Sequence, residues 1–66
     1  MDMKVHVEFE NITKVIEVEK GSKVGDLLKK LNLRNVIVMR NDEFLLDDDE
    51  LIENDNIKII KVSSGG

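Results

Sequence analysis

Gly21-Ser22-Lys23-Val24-Gly25-Asp26-Leu27-Leu28-Lys29-Lys30-Leu31 carries the helical periodicity of this chain. Val24, Leu27, Leu28 and Leu31 recur at the spacing of one helix face, while Lys23, Asp26, Lys29 and Lys30 face water. Ser22 is placed as an N-cap, since its hydroxyl can accept an orphan backbone N–H. Lys29 and Lys30 sit where the helix dipole favours positive charge, and Asn32 ends the helix. Gly25 is out of place, because glycine in a helix costs about 1 kcal/mol against alanine.

Everything around this helix reads as strand. Lys4 to Glu10 alternates, with Val5, Val7 and Phe9 on one face and Lys4, His6, Glu8 and Glu10 on the other. Asn11 to Thr13 falls where a turn belongs. Lys14 to Glu19 then forms a second strand with Ile16 and Val18 inward. Asn11-Ile12 is not a strong two-residue hairpin signal. After the helix come Val36 to Arg40, a turn at Asn41-Asp42-Glu43, and a short strand from Phe44 to Leu46. Leu51 and Ile52 are expected to anchor the next segment in the core. Asn54-Asp55-Asn56 is read as a turn and Ile57 to Val62 as the last strand. The order ββαβ(β)β places one helix on one sheet, the smallest two-layer arrangement.

One helix covers one sheet face, so apolar residues of both parities carry information. Val36 to Met39 are apolar at four consecutive positions, and two must point away from the helix. If Ile57 and Ile59 point inward, Ile60 and Val62 point outward. With Val15 these residues form either an association patch on the open face or a scatter of surface Val and Ile favoured by strand propensity.

Composition narrows the function classes. A chain of 66 residues is one domain, and at this size it buries only roughly 60% of its unfolded surface. That leaves little room for a small-molecule pocket of about 300 Å³ or more. It is 36% charged, but its 41% hydrophobic share is mostly Val, Ile and Leu, which argues against disorder. Without Cys there is no disulfide, no self-contained thiol chemistry and no Cys-based metal site, and one His cannot build a His-rich one. A net charge of −4 with scattered cations speaks against direct nucleic-acid binding. The longest apolar run falls far short of a membrane span of about 20 residues. With no signal or lipidation pattern at Met1-Asp2-Met3-Lys4, the expected location is cytoplasmic. Asp42 to Asp55 holds eight acids and no base, densest at Asp47-Asp48-Asp49-Glu50. The run reads either as a solvated loop or as a steering patch for a basic protein; it lacks calcium-loop spacing.

The chain closes Val62-Ser63-Ser64-Gly65-Gly66. At average glycine usage, a chance terminal pair has a probability of roughly 0.5%. Residues 1–62 are therefore expected to form the domain, and 63–66 a flexible tail. Two glycines without side chains can thread a narrow enzyme channel in extended form. The Gly66 carboxylate is a poor electrophile until adenylation gives it a good leaving group.

The chain resembles the β-grasp sulfur carriers of the ubiquitin-like superfamily, ThiS/MoaD-like, with archaeal small-modifier relatives. The resemblance spans all 66 residues. It rests on the early hairpin, on Gly21-Ser22-Lys23-Val24, and on Val38-Met39-Arg40-Asn41-Asp42-Glu43. It also rests on Asn54-Asp55-Asn56-Ile57-Lys58-Ile59-Ile60 and the closing Val62-Ser63-Ser64-Gly65-Gly66. The family often has an Asn-Gly turn where Asn41-Asp42 stands and Asp-Gly-Asp where Asn54-Asp55-Asn56 stands; other turn formers replace those glycines here.

The resemblance implies an α+β fold, a ubiquitin-like β-grasp with a mixed four- or five-stranded sheet packed on one helix. It implies a carrier rather than an enzyme, with no bound cofactor or metal. An E1-like adenylyltransferase would use ATP and Mg²⁺ to adenylate Gly66, and a persulfide or sulfide donor would convert the adenylate to a thiocarboxylate. The acceptor would be a sulfur-accepting synthase or tRNA thiolase, serving tRNA 2-thiouridine, thiamine thiazole or molybdopterin synthesis. Ser63, Ser64 and Gly65 would thread the channel. The open face would dock the activating enzyme through Val38, Ile60 and Val62, with His6 beside them. Phe44 belongs either to that face or to the core rim. His6 is otherwise an ordinary surface residue, without the acid or nucleophile that catalysis needs. Two other readings keep the fold: a modifier conjugated to lysines through Gly66, and an interaction domain with an incidental Gly-Gly end.

Overall fold

The computed structural model describes residues 1–62, and its first two strands, β1 (Asp2–Phe9) and β2 (Ile12–Glu19), meet at a two-residue loop. Glu10 and Asn11 both take positive φ, 51° and 64°. That pairing matches the right-handed twist of a hairpin. The loop is therefore Glu10-Asn11 rather than Asn11 to Thr13, and β2 begins at Ile12. Asn32, Asn35, Asn41 and Asn54 also adopt positive φ. Asparagine tolerates this left-handed region better than most residues and stands in for glycine at these turns.

The helix α1 (Val24–Leu31) starts one residue later than expected. Lys23 is the N-cap, and the Asp26 carboxylate accepts from its backbone N–H at 2.9 Å. The Ser22 hydroxyl instead donates to the Glu19 carbonyl, closing the turn around Gly21 at φ 92°. The acidic loop supplies the remaining caps. The Val24 N–H donates to the Asp49 carbonyl at 2.9 Å and the Gly25 N–H to the Asp47 carbonyl at 3.0 Å. A Cβ on Gly25 would touch the Asp47 carbonyl oxygen and Cβ at 3.4 Å, so the acidic loop packs directly on the first turn of the helix. At the other end Leu33 N–H reaches Leu28 O and Asn32 N–H reaches Lys29 O, a Schellman closure around left-handed Asn32.

The remaining strands are β3 (Val36–Arg40), β4 (Glu43–Leu45) and β5 (Asp55–Lys61). All five form one mixed sheet, ordered β2-β1-β5-β3-β4, with β1 and β5 parallel at its centre. Met3, Val5, Val7, Val18, Val38, Leu45, Ile57 and Ile59 project to the helix side and pack with Val24, Leu27 and Leu51. Leu51 is the anchor anticipated, but Ile52 is exposed.

Asp55 opens β5 instead of turning, and its side chain is 2% exposed. The Arg40 guanidinium grips it with two bonds, Nε to Oδ1 at 2.8 Å and Nη2 to Oδ2 at 2.6 Å. Arg40 Nη2 also donates to the Glu50 carbonyl, and the Ile52 N–H donates to Asp55 Oδ2. Burial pushes the Asp55 carboxyl up, but hydrogen bonds from Arg40, Ile52 and Asn56, with the Arg40 charge, hold it below its ordinary value of 3.8. Arg40 is raised in turn, chiefly by its hydrogen bond to Asp55.

Removing the Asp55 charge leaves the half-buried Arg40 guanidinium without its counter-ion. Asp55→Asn is therefore expected to cost about 2 kcal/mol at neutral pH, read from urea unfolding. The unfolded chain takes up the proton first as pH falls. The pair's stability is thus intact above the ordinary carboxylate value and is lost as pH drops through the lower folded one. Asp55→Asn should flatten that acid limb; an unchanged limb would show that Asp55 does not govern it.

Candidate functional site

The helix occupies one side of the sheet and leaves the other bare. Register assigns that face residue by residue. Ile37 lies opposite Ile60, and Met39 lies opposite both Lys58 and Phe44. Glu8 lies opposite both Lys58 and Thr13. Thr13, Glu8, Lys58, Met39 and Phe44 thus form one row across all five strands. His6 pairs with Val15 and Asn56 in the next row toward the start of β1.

The face has two halves. On β3, β4 and the end of β5, Ile37, Met39, Phe44 and Ile60 form an apolar patch, with Phe44 67% exposed and Ile37 and Ile60 each 38%. On β1 and β2, the half-buried His6 and Glu8 and the exposed Thr13 and Glu17 make a polar half, interrupted by Val15. The Val62 N–H donates to the Asn35 carbonyl at 3.2 Å, holding the end of the described chain beside the start of β3. Val62 is 46% exposed there. This apolar patch lies next to the point where the chain leaves the sheet, and exposed patches of this kind mark association sites.

Two of the expected contacts, Ile60 and Val62, are exposed at this end of the sheet. Val38 is not: it pairs with Ile59 and Leu45 on the helix side and is 4% exposed. Its neighbours Ile37 and Met39 take the outward positions. Phe44 lies on the open face and does not cap the core. His6 is on the same face, in the polar half. The positions named for activation and threading, Gly66, Gly65, Ser64 and Ser63, lie outside the described residues.

The acidic run has a structural use that composition alone does not reveal. Asp47 and Asp49 cap the helix through their carbonyls, and the Asp49 carboxylate accepts from the Leu46 N–H at 2.6 Å. Among the described residues, no group of three or more His, Asp or Glu side chains is placed to hold a metal ion, and no helix is long and apolar enough to cross a membrane.

Five mixed strands grasping one helix define a ubiquitin-like β-grasp protein. The chain belongs to the ThiS family, whose model matches residues 4–66. Solved structures carry the same fold. A ubiquitin of Caldiarchaeum subterraneum superposes with a TM-score of 0.78 at 18% identity, covering 100% of both chains. SAMP1 from Haloferax volcanii gives 0.69 at 18% identity, again over 100% of both. A ubiquitin-like domain from Arabidopsis thaliana gives 0.75 at 19%, covering 98% of this chain and 83% of that one.

The two parities of β3 should separate in unfolding experiments. Val38→Ala empties a buried site and is expected to cost about 1–3 kcal/mol, whereas Phe44→Ser and Ile37→Ser should stay within about 1 kcal/mol. Equal losses in denaturant midpoint would overturn the assignment of faces.

Proposed function

We propose that this chain is a cytoplasmic sulfur carrier whose C-terminal glycine, Gly66, is activated by a separate enzyme. The observation that carries the reading is the apolar patch of Ile37, Met39, Phe44 and Ile60 beside Val62, four residues before a Gly-Gly end, on a ThiS-family chain. The E1-like enzyme docks on this face and receives the tail. The Gly66 carboxylate attacks the α-phosphorus of ATP, pyrophosphate leaves, and Mg²⁺ on the enzyme offsets the phosphate charge. Sulfide then displaces AMP to give the thiocarboxylate. A persulfide donor instead gives an acyl disulfide, which a second thiol cleaves. The loaded tail passes sulfur to an acceptor for tRNA 2-thiouridine, thiazole or molybdopterin synthesis. This chain contributes recognition and the carboxylate; its partners contribute sulfur and catalysis.

Conjugation to lysines through Gly66 is the second reading. It is supported by the full-length superposition on the Caldiarchaeum subterraneum ubiquitin. Both readings begin with the same adenylate and differ in whether sulfur or a lysine amine takes the acyl group.

Intact-mass analysis of protein purified from its native host tests the carrier reading. The expected species is heavier by the exchange of one oxygen for one sulfur, maps to Gly66, and is captured by alkylation. Alkylation separates it from oxidation of Met1, Met3 or Met39. Absence of that species under sulfur-replete growth, with full function after Gly66 is deleted, would sink the proposal. Lysine-linked Gly-Gly remnants on other proteins would favour conjugation.

Docking is tested separately. Phe44→Asp and Ile60→Asp are each expected to lower kcat/KM for adenylation about tenfold or more, the scale of an interface anchor. Glu19→Gln, away from the patch, should leave it unchanged.

A further inference from the structure

A second apolar surface lies on the helix side of the sheet, at the edge farthest from β4. The helix of eight residues is about 12 Å long. The β1–β2 hairpin, eight residues per strand, runs about 27 Å. The turn end of the hairpin therefore overhangs the helix. Beneath the overhang is a groove of about 220 Å³ lined by Phe9, Ile12, Lys14, Ile16, Leu31 and Leu33, with Glu10 at its hairpin end. Ile12 is 58% exposed, and Ile16, Leu31 and Leu33 are half-buried.

The strand bordering this groove has an unpaired edge. The two-residue loop makes Phe9 and Ile12 a hydrogen-bonded pair, and pairing alternates from there. The Lys20 N–H to Met1 carbonyl bond at 2.7 Å keeps the same phase. Ile12, Lys14, Ile16 and Val18 thus bond to β1, while the backbone groups of Thr13, Val15 and Glu17 point away from the sheet. Lys30 Nζ donates to the Glu17 carbonyl. Among the described residues no hydrogen bond reaches the outward groups of Thr13 and Val15.

Free edge and groove together specify an occupant. A strand added to β2 sends alternate side chains to the helix side, where they meet Ile12, Lys14 and Ile16 in turn. Lys14 lines the groove and Lys30 reaches the β2 edge at the Glu17 carbonyl, whereas Glu50 and Glu53 of the acidic run lie at the other end of the hairpin, beside Lys20 and Gly21. We infer that the β2 edge binds an extended peptide segment of a partner protein with the pattern apolar–x–acidic–x–apolar. The acidic residue faces Lys14 and takes over Lys30, and the apolar residues fill the groove beside Ile12 and Ile16. The activation face stays free, so a partner held here can keep the carrier at hand while its tail is loaded or used. The inference does not depend on the chemistry at Gly66.

The test uses the full chain, isotope-labelled, and a capped peptide containing Ile-Thr-Asp-Thr-Ile. Titration should shift the amides of Thr13, Val15, Glu17, Leu31 and Leu33. Methylating alternate peptide nitrogens should abolish binding by removing the strand's donors. Ile12→Glu and Lys14→Glu, both at exposed positions, should each weaken it about tenfold, and a peptide with Lys in place of Asp should restore binding to Lys14→Glu. Unchanged core methyl signals would show that both variants fold. The inference is overturned by shifts confined to Ile37, Met39, Phe44 and Ile60, by equal binding of the methylated peptide, or by no shifts up to the peptide's solubility limit. Shifts of the edge amides with protein concentration alone would assign the edge to a second copy and overturn it as well.

Discussion

An eight-residue helix cannot cover both sides of a five-stranded sheet, and the rest of the molecule follows from that constraint. The covered side takes one parity of every strand and becomes the core. The other parity must face water or a partner. At the end of β5 and on β3 and β4 it holds Ile, Met and Phe rather than charge, so the open face is polar on one half and apolar on the other. The helix is also shorter than the hairpin beside it, which opens a second apolar surface under β2. Both exposed surfaces therefore have one geometric origin.

Polar groups fix how the layers meet. Arg40 joins β3, the start of β5 and the returning acidic loop through a single guanidinium. The same loop closes the helix N-terminus with the carbonyls of Asp47 and Asp49 and packs against Gly25. A run of acids that reads as a solubility device is thus also a strap across the helix end. Its carbonyls accept from helix N–H groups that a side-chain cap would otherwise have to satisfy.

In the proposed cycle this domain presents a carboxylate, and partner enzymes activate it. It has no cysteine, and composition therefore argues against thiol chemistry within the chain itself. The proposed cycle turns that absence into a division of labour. In the proposed cycle the sulfur resides on the terminal carboxylate, and the catalytic groups reside on another protein. What the described fold contributes is a sheet face whose apolar patch lies beside Val62.

Much of this was legible in the residues. Strand alternation from Lys4 to Glu10, the helical spacing of Val24, Leu27, Leu28 and Leu31 and the stop at Asn32 all follow from local periodicity, because each pattern carries its own phase. The closing Gly65-Gly66 and the order of elements were enough to point to the family. Tertiary pairing decided the rest. Four consecutive apolar residues, Val36 to Met39, have no phase of their own; antiparallel pairing with β5 buries Val38 and turns Ile37 and Met39 to the open face. Phe44 and Leu45 were equally ambiguous until the Asn41-Asp42 turn set Phe44 opposite Met39. Asp55 looked like a turn residue because its partner, Arg40, is distant in sequence, and only the folded sheet brings that guanidinium within 2.6 Å.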